Sequence, residues 1–247
     1  MYNIIVCFKQ ILDIDQMKID EKTQEPITKN LPYRIEDLSK NAIEEAVRIK
    51  EKHGGKVIGI TYGGDQASLA MKEALAMGVD EGIIIKGCKG HDPEATASVL
   101  AKKISQLQYD IIIMGNASAD SYSGLVPGKV ARKLNIPILG NAIKLEMVDK
   151  KVRITRSIED KNVVLETDLP ALVTVEQEIN EPRLPPLIQI MAAGRKPTKV
   201  EEISPDRVTT TVVLSNKAPK SDRKRIIFED IDKGVMEVVK VLKGEVR

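Results

Sequence analysis

Four short apolar runs, NIIVCF (3–8), KVIGITYGG (56–64), EGIIIKG (81–87) and YDIIIMGNA (109–117), alternate with stretches of helical period. That alternation constrains the fold more than any other feature. Runs so short and rich in β-branched residues read as strands buried on both faces of a parallel sheet. Between them, LSKNAIEEAVRIKEKHGGKV has a polar start at Ser39 and apolar residues Ala42, Ile43, Ala46, Val47 and Ile49 at a 3.6-residue period. Gly54 and Gly55 end that helix, and Glu44 with Arg48 forms an i,i+4 pair. DQASLAMKEALAMG is a second helix, with Asp65 as N-cap and Gly78 as C-cap. DPEATASVLAKKISQL, with Pro93 in its first turn, is a third, and GLVPGKVARKL leads into a fourth. The expected fold is α/β, a doubly wound and mostly parallel sheet.

From Ala142 the texture changes. AIKLEMV, KKVRITRSI, NVVLET and PALVTVE are closely spaced strands joined by tight polar turns, read together as an antiparallel extension. Residues 14–35 read as a small hairpin. Residues 198–226 are polar and weakly periodic, and an amphipathic helix closes the chain. The expected division is residues 1–197 as the α/β domain and 198–247 as a C-terminal arm and helix.

INEPRLPPLIQIMAAGRKP (179–197) breaks the pattern. Pro182, Pro185 and Pro186 argue against a regular helix or central strand there. Leu184, Leu187, Ile188, Ile190 and Met191 are nevertheless more apolar than a solvated loop carries. Such a segment either folds back on the core or docks something.

Function classes narrow by exclusion. The 38 basic and 36 acidic residues nearly cancel, and aromatics make up only 3%, so neither a basic footprint nor a stacking platform for nucleic acid is expected. No apolar run approaches a membrane span and no basic leader precedes an apolar segment, so the expectation is a cytoplasmic chain that is not itself a membrane protein. Cys7 and Cys88 imply no disulfide framework, and Cys7 reads as a buried thiol. His53 and His91 read as surface residues, and no metal-type spacing occurs. GLVPGKV fails as a P-loop: it has three residues between its glycines, and Val130 stands where Ser or Thr would hold magnesium. No G-x-G-x-x-G follows a strand.

Ligands of such sheets sit beyond the carboxyl ends of the strands, where strand order reverses. Those ends are CFKQ, TYGG, IKGC and MGNASADSYSG, and the last is the richest in small residues that let a backbone approach a phosphate. Ser118, Ser121 and Ser123 are candidate phosphate donors there. Nothing marks a nucleophile or general base, so catalytic residues are none and any chemistry comes from a cofactor.

Several stretches together resemble the β subunit of electron transfer flavoproteins: VCFKQILD, NAIEEAVRIKE, ALAMGVDEGI, YDIIIMGNASAD and, above all, LPALVTVEQEINEPRLPPLIQIMAAGRKP. The resemblance covers most of the chain. It implies a Rossmann-like, adenine-nucleotide-binding domain in a heterodimer with an α subunit that carries a redox FAD. The β subunit then holds AMP in simple carriers, or a second FAD in electron-bifurcating members that oxidise NADH. Carried over by motif, the nucleotide meets Cys7 and Lys9, then Glu36, Asp37, Leu38 and Ser39, then Tyr62 and Gly63. It also meets the loop of Gly115, Asn116, Ala117, Ser118, Ala119, Asp120, Ser121, Tyr122, Ser123, Gly124, Leu125 and Val126.

The family's usual Asn-Pro pair is replaced by Glu36-Asp37, and its phosphate-loop Gln by Leu125, so phosphate binding shifts toward backbone amides, Ser121 and Ser123. The resemblance further implies that the 179–197 loop docks dehydrogenases through Leu187. Glu181 and Arg183 are then either a polar rim or a pair that holds the loop. Residues near Asp13 and Ile14 shape the α-subunit flavin site, the C-terminal arm packs on the α subunit, and electrons pass to a quinone oxidoreductase or similar acceptor. The chain is on this reading an electron carrier more than a classical enzyme. A nucleotide-binding hydrolase or a regulatory module is the alternative from another class.

Overall fold

The computed structural model describes residues 1–87, 92–206, 213–219 and 226–244, so Cys88 and His91 lie outside the described residues. The chain divides into two compact units, residues 1–18 with 28–214, and residues 19–27 with 215–247. In chain order the elements are β1 (Tyr2–Cys7), β2 (Gln10–Leu12), β3 (Lys18–Ile19), β4 (Pro26–Ile27), β5 (Tyr33–Ile35) and α1 (Asp37–His53). There follow β6 (Gly55–Gly63), α2 (Ala67–Met77), β7 (Glu81–Lys86), α3 (Pro93–Ile104), β8 (Ile111–Gly115) and α4 (Leu125–Leu134). Then come β9 (Ile138–Ala142), β10 (Lys144–Val148), β11 (Lys151–Ile158), β12 (Lys161–Asp168) and β13 (Ala171–Val175). The chain closes with α5 (Leu187–Ala193), β14 (Thr198–Glu202) and α6 (Ile231–Leu242).

The first unit is built on a seven-stranded sheet of order β14-β7-β6-β1-β8-β13-β9, with every neighbouring pair parallel. Its central strand shows why. Ile4 and Val6 of β1 join the core under α1 and α2, whereas Ile5 and Cys7 join the core under α3 and α4. Side chains alternate across a strand, so a strand apolar on both faces needs helices on both. Met147, Val152 and Ile154 of a separate antiparallel sheet, β10-β11-β12, join the α1 side of the core.

The expected alternation is present, with three local differences. PALVTVE is not part of the antiparallel extension: β13 inserts between β8 and β9 as a parallel strand, and all five of its residues are buried. Its neighbours in sequence, β11 and β12, alternate or stay exposed, as a sheet with one solvated face does. Helix α1 begins before Ser39, because the Glu36 carboxylate accepts from the Ser39 amide at 2.8 Å and is its N-cap. Asp65 does not cap α2; that helix starts after Gln66 with no side-chain cap, and Asp65 lies 3.5 Å from Lys86 Nζ instead. Gly78 and Pro93 hold their expected places at the end of α2 and the start of α3. The polar edge strand β14 carries no apolar run by which it could be read from sequence, as edge strands seldom do.

The second unit contains β4 and α6, and within it the Ala218 amide donates to the Gln24 carbonyl at 2.8 Å. Asp230 caps α6, whose Ile231, Val235, Met236, Val238 and Leu242 are all exposed.

Gly55, the first residue of β6, has φ +128° and pairs with Tyr2. A Cβ there would lie 2.0 Å from the Tyr2 carbonyl oxygen, a backbone atom that cannot move without breaking the β1–β6 register. Gly55→Ala should therefore cost about 3 kcal/mol from strain alone. Urea unfolding should show the midpoint falling with the slope unchanged.

Candidate functional site

The strand order reverses at β1: β6, β7 and β14 lie on one side of it, and β8, β13 and β9 on the other. A cleft opens at the carboxyl ends of β1, β6 and β8, the switch-point position expected of a ligand site. It encloses ≈ 880 Å³ counting the open space at its mouth. Its floor is apolar: Cys7, Ile60, Leu100 and Met114, with Val126 and Pro127 beside them. Burial pushes the Cys7 thiol up to about 12, so it serves as floor and not as a nucleophile.

The mouth is polar. Gly124, at φ 61°, precedes α4 and gives it no side-chain cap, and no acidic residue stands in the first turn. The amides of Leu125 and Val126, at the positive end of the helix, suit an anion. Lys9 Nζ reaches Ser118 Oγ at 3.2 Å and Asp120 Oδ1 at 2.6 Å, and the Ser118 hydroxyl lies 3.1 Å from that of Ser121. Burial works to raise the Asp120 pKa, but hydrogen bonds from Lys9 and Ser118 outweigh it and hold the carboxyl below its ordinary value. Lys9 is itself placed by its backbone: its amide donates to Ser39 Oγ at 3.1 Å, and its carbonyl accepts from the Glu36 amide at 2.9 Å. A flat apolar base and a phosphate fit this pairing of floor and mouth.

Of the residues expected from sequence, Cys7, Lys9, Ser39, Tyr62, Gly115, Asn116, Ala117, Ser118, Ser121, Ser123, Gly124, Leu125 and Val126 line the cleft. Glu36, Asp37, Leu38, Gly63, Ala119, Asp120 and Tyr122 do not. Glu36 is 2% exposed and turned inward as the α1 cap, its pKa raised by burial. Asp37 pairs with Arg34. Leu38 backs the cleft: a Cβ on Gly115 would come within 2.9 Å of its Cβ, so only glycine lets β8 and α1 approach this closely. Asp120 acts through Lys9, and Tyr122 is 79% exposed at φ 47°. The strand ends named from sequence also supply Phe8 and Met114, whereas Ile60, Pro127 and the α3 contribution of Pro93, Thr96 and Leu100 lie outside the expected set. Helical periodicity identifies a buried face without saying whether helix, strand or cavity lies opposite.

The proline-rich segment is not loop throughout. Pro186 precedes a two-turn helix, α5, because the prolines stop before it and Leu187–Ala193 has none. Leu187 is 72% exposed, and Leu184, Ile188 and Met191 are exposed with it. Arg183 is neither a free rim residue nor a partner of Glu181. It binds Glu44 Oε2 at 2.8 Å and Glu51 Oε1 at 2.6 Å, both on α1. The exposed Glu181 keeps its carboxylate out of this grip, and only its carbonyl accepts, from Arg48 at 3.2 Å. Next to it, Asn41 Nδ2 donates to the Asn180 carbonyl at 2.8 Å, and Asn180 Nδ2 donates to Glu45 Oε2 at 3.0 Å. The NEPR sequence is thus a clasp on α1 that carries α5.

These features define an α/β protein with a cleft at its switch point, apolar in its floor and polar at its mouth, and an apolar helix presented outside the sheet. Comparison with known proteins is specific. A family model described as the electron transfer flavoprotein domain matches residues 27–206. The electron transfer flavoprotein subunit beta of Thermoanaerobacterium thermosaccharolyticum is 35% identical, covering 97% of both chains, and that of Clostridium acetobutylicum is 34% identical, covering 98% of both. Subunit CarD of a caffeyl-CoA reductase-Etf complex from Acetobacterium woodii is 34% identical over 81% of this chain and 79% of its own. The chain belongs to the electron transfer flavoprotein family, as a beta subunit.

Burial works to raise the Glu44 pKa, but hydrogen bonds from Arg183 and Arg48 overcome it and leave the group below its ordinary 4.5. Glu44 therefore contributes stability that is complete above pH ~4.5 and is lost as pH falls through its folded value. Arg183→Met leaves this carboxylate, 2% exposed, short of its main partner, which should cost about 3 kcal/mol at pH 7. The deficit should shrink below pH ~4.5, as protonation removes the charge that Arg183 served. Urea titrations of both chains between pH 7 and 3.5 measure it, and a deficit that stayed constant would assign Arg183 to packing alone.

Proposed function

We propose that this chain, paired with an electron transfer flavoprotein alpha subunit, relays electrons from dehydrogenases to a downstream acceptor such as a quinone oxidoreductase, and holds an adenine nucleotide, AMP, in the switch-point cleft. The observation that carries the nucleotide reading is one cleft with an apolar floor and, at its mouth, a helix start free of side-chain caps beside Lys9 and three serines. FAD held with the alpha subunit supplies the redox chemistry. The residues of this chain bind and orient. Ile60, Leu100 and Met114 would receive the base, the amides of Leu125 and Val126 the phosphate, and Lys9 would exchange Asp120 for it. Backbone amides take the place of the family's missing phosphate-loop Gln.

On the same reading Leu187 and its neighbours on α5 dock partner dehydrogenases, with the 180–183 clasp fixing where that helix stands. Residues near Asp13, which accepts from Gln16 Nε2 at 2.6 Å, would face the alpha-subunit flavin. The exposed apolar row of α6 would pack on the alpha subunit, the role expected of the 198–247 arm. No helix among the described residues is long and apolar enough to cross a membrane.

Two measurements test this. Denaturing the coexpressed complex should release one FAD and one AMP per heterodimer. Two FAD would replace the simple carrier by an NADH-oxidising, bifurcating assembly, and no nucleotide would refute the site. Separately, Leu187→Ala should weaken dehydrogenase docking at least about tenfold, as loss of a central aliphatic anchor does. Because the residue is exposed, the unfolding midpoint should stay within ~0.5 kcal/mol of the parent. Docking that survived while the melt collapsed would make the segment core.

A further inference from the structure

The two lips of the cleft are helices on the same face of the sheet. Helix α3 gives it Pro93, Thr96 and Leu100, and α4 gives it Val126 and Pro127. At the level of those lips, outside the cleft, one carboxylate spans both helices. Glu94 Oε2 lies 2.7 Å from Lys129 Nζ, and Glu94 Oε1 lies 2.7 Å from Lys133 Nζ. Both of its oxygens are engaged, and each lysine comes from α4.

The arrangement is coupled from three sides. Lys129 and Lys133 are four residues apart on one face of α4, so without an acid between them they repel. Glu94 stands in the first turn of α3, where the helix dipole favours negative charge, next to the N-cap Asp92. Both lysines hold its pKa down, to about 2. The start of α4 has little else of its own to fix it, since it follows a left-handed glycine and has no side-chain cap. An isolated exposed pair contributes little, but a shared carboxylate with both oxygens committed is the network case that counts for more.

We propose that Glu94, Lys129 and Lys133 form an ionic latch between α3 and α4 that sets the width of the cleft and so governs how long a nucleotide stays in it. Glu94 is a positioning residue: it touches no ligand, and acts by holding the amides of Leu125 and Val126 opposite the α3 wall. The inference rests on the reading of the cleft as a nucleotide site.

The test is the dissociation rate of radiolabelled AMP from the coexpressed heterodimer, chased with unlabelled AMP. Glu94→Gln should speed release about fivefold, well beyond what the accompanying small fall in the urea midpoint accounts for. The full charge exchange, Glu94→Lys with Lys129→Glu and Lys133→Glu, should bring the rate back toward that of the parent. In 1 M KCl the gap between parent and Glu94→Gln should close, because screening removes the same interaction. A rate unchanged in Glu94→Gln, or one that rose only in step with lost stability, would overturn the latch. A parent complex that bound no AMP would instead overturn the site on which the latch rests.

Discussion

Burial of β1 on both faces is the condition from which the rest of the first unit follows. Ile4 and Val6 need one helical layer and Ile5 and Cys7 the other, so the chain must cross the sheet in both directions. A parallel sheet wound both ways has a point where its order reverses, and here β1 is that point. The loops leaving β1 and β8 then diverge to opposite faces, and the crevice between them is left lined by whatever ends those strands. In this chain that is Cys7 to Lys9 and Gly115 to Ser118. The site is therefore a by-product of covering the central strand, and its chemistry depends on loop residues that the core leaves free to vary.

What could be read in the sequence divides along the same physical line. Periodicity and glycine punctuation locate β1, β6, β7, β8 and α1 to α4 because burial is local: each run is apolar where it meets a layer. They say nothing of which strands pair. Hence PALVTVE reads from sequence with its neighbours, although its five consecutive buried residues have the character of β8 and not of β11. The cleft loops were legible because small residues after a strand have one common use. The α3 wall was not, since Thr96 and Leu100 look the same facing a cavity as facing a strand. Glu36 illustrates a third limit. Two acids before a helix can cap it or meet a ligand, and only the geometry shows the carboxylate on the Ser39 amide.

The apolar, proline-rich segment could be recognised by composition, yet how it is held could not. Three polar residues of α1, Asn41, Glu44 and Glu45, are buried where the helical pattern allows only apolar ones to be expected. Their partners, Asn180 and Arg183, lie about 135 residues away in the chain, as with Asn180 and Glu45. The two acids, adjacent in sequence, are pushed in opposite directions. Burial dominates at Glu45, where one Asn amide is too little to offset it, and its pKa is raised. At Glu44 two guanidinium groups more than offset burial. Glu45 thus favours the folded state as pH falls toward its raised value, while Glu44 favours it as pH rises through its lowered one. Of the groups facing Glu44, Arg183 is the partner that does most to offset its burial, so the clasp is held chiefly by Arg183.

That division of labour bears on how α5 can be both exposed and ordered. Leu184, Leu187, Ile188 and Met191 leave apolar surface in water, so the segment is not stabilised by burying them. Order has to come from residues outside that apolar face. Asn180 and Arg183 provide it on the near side. On the far side Lys196 donates to the carbonyls of Leu75 and Val79 at 2.7 Å each, tying the end of the segment to the end of α2. Anchored at both ends by hydrogen bonds and ion pairs, α5 can leave its apolar face uncovered without unfolding or collapsing onto the core. The prolines between Asn180 and α5 serve the same end, because they limit the unfolded chain more than they limit the folded one.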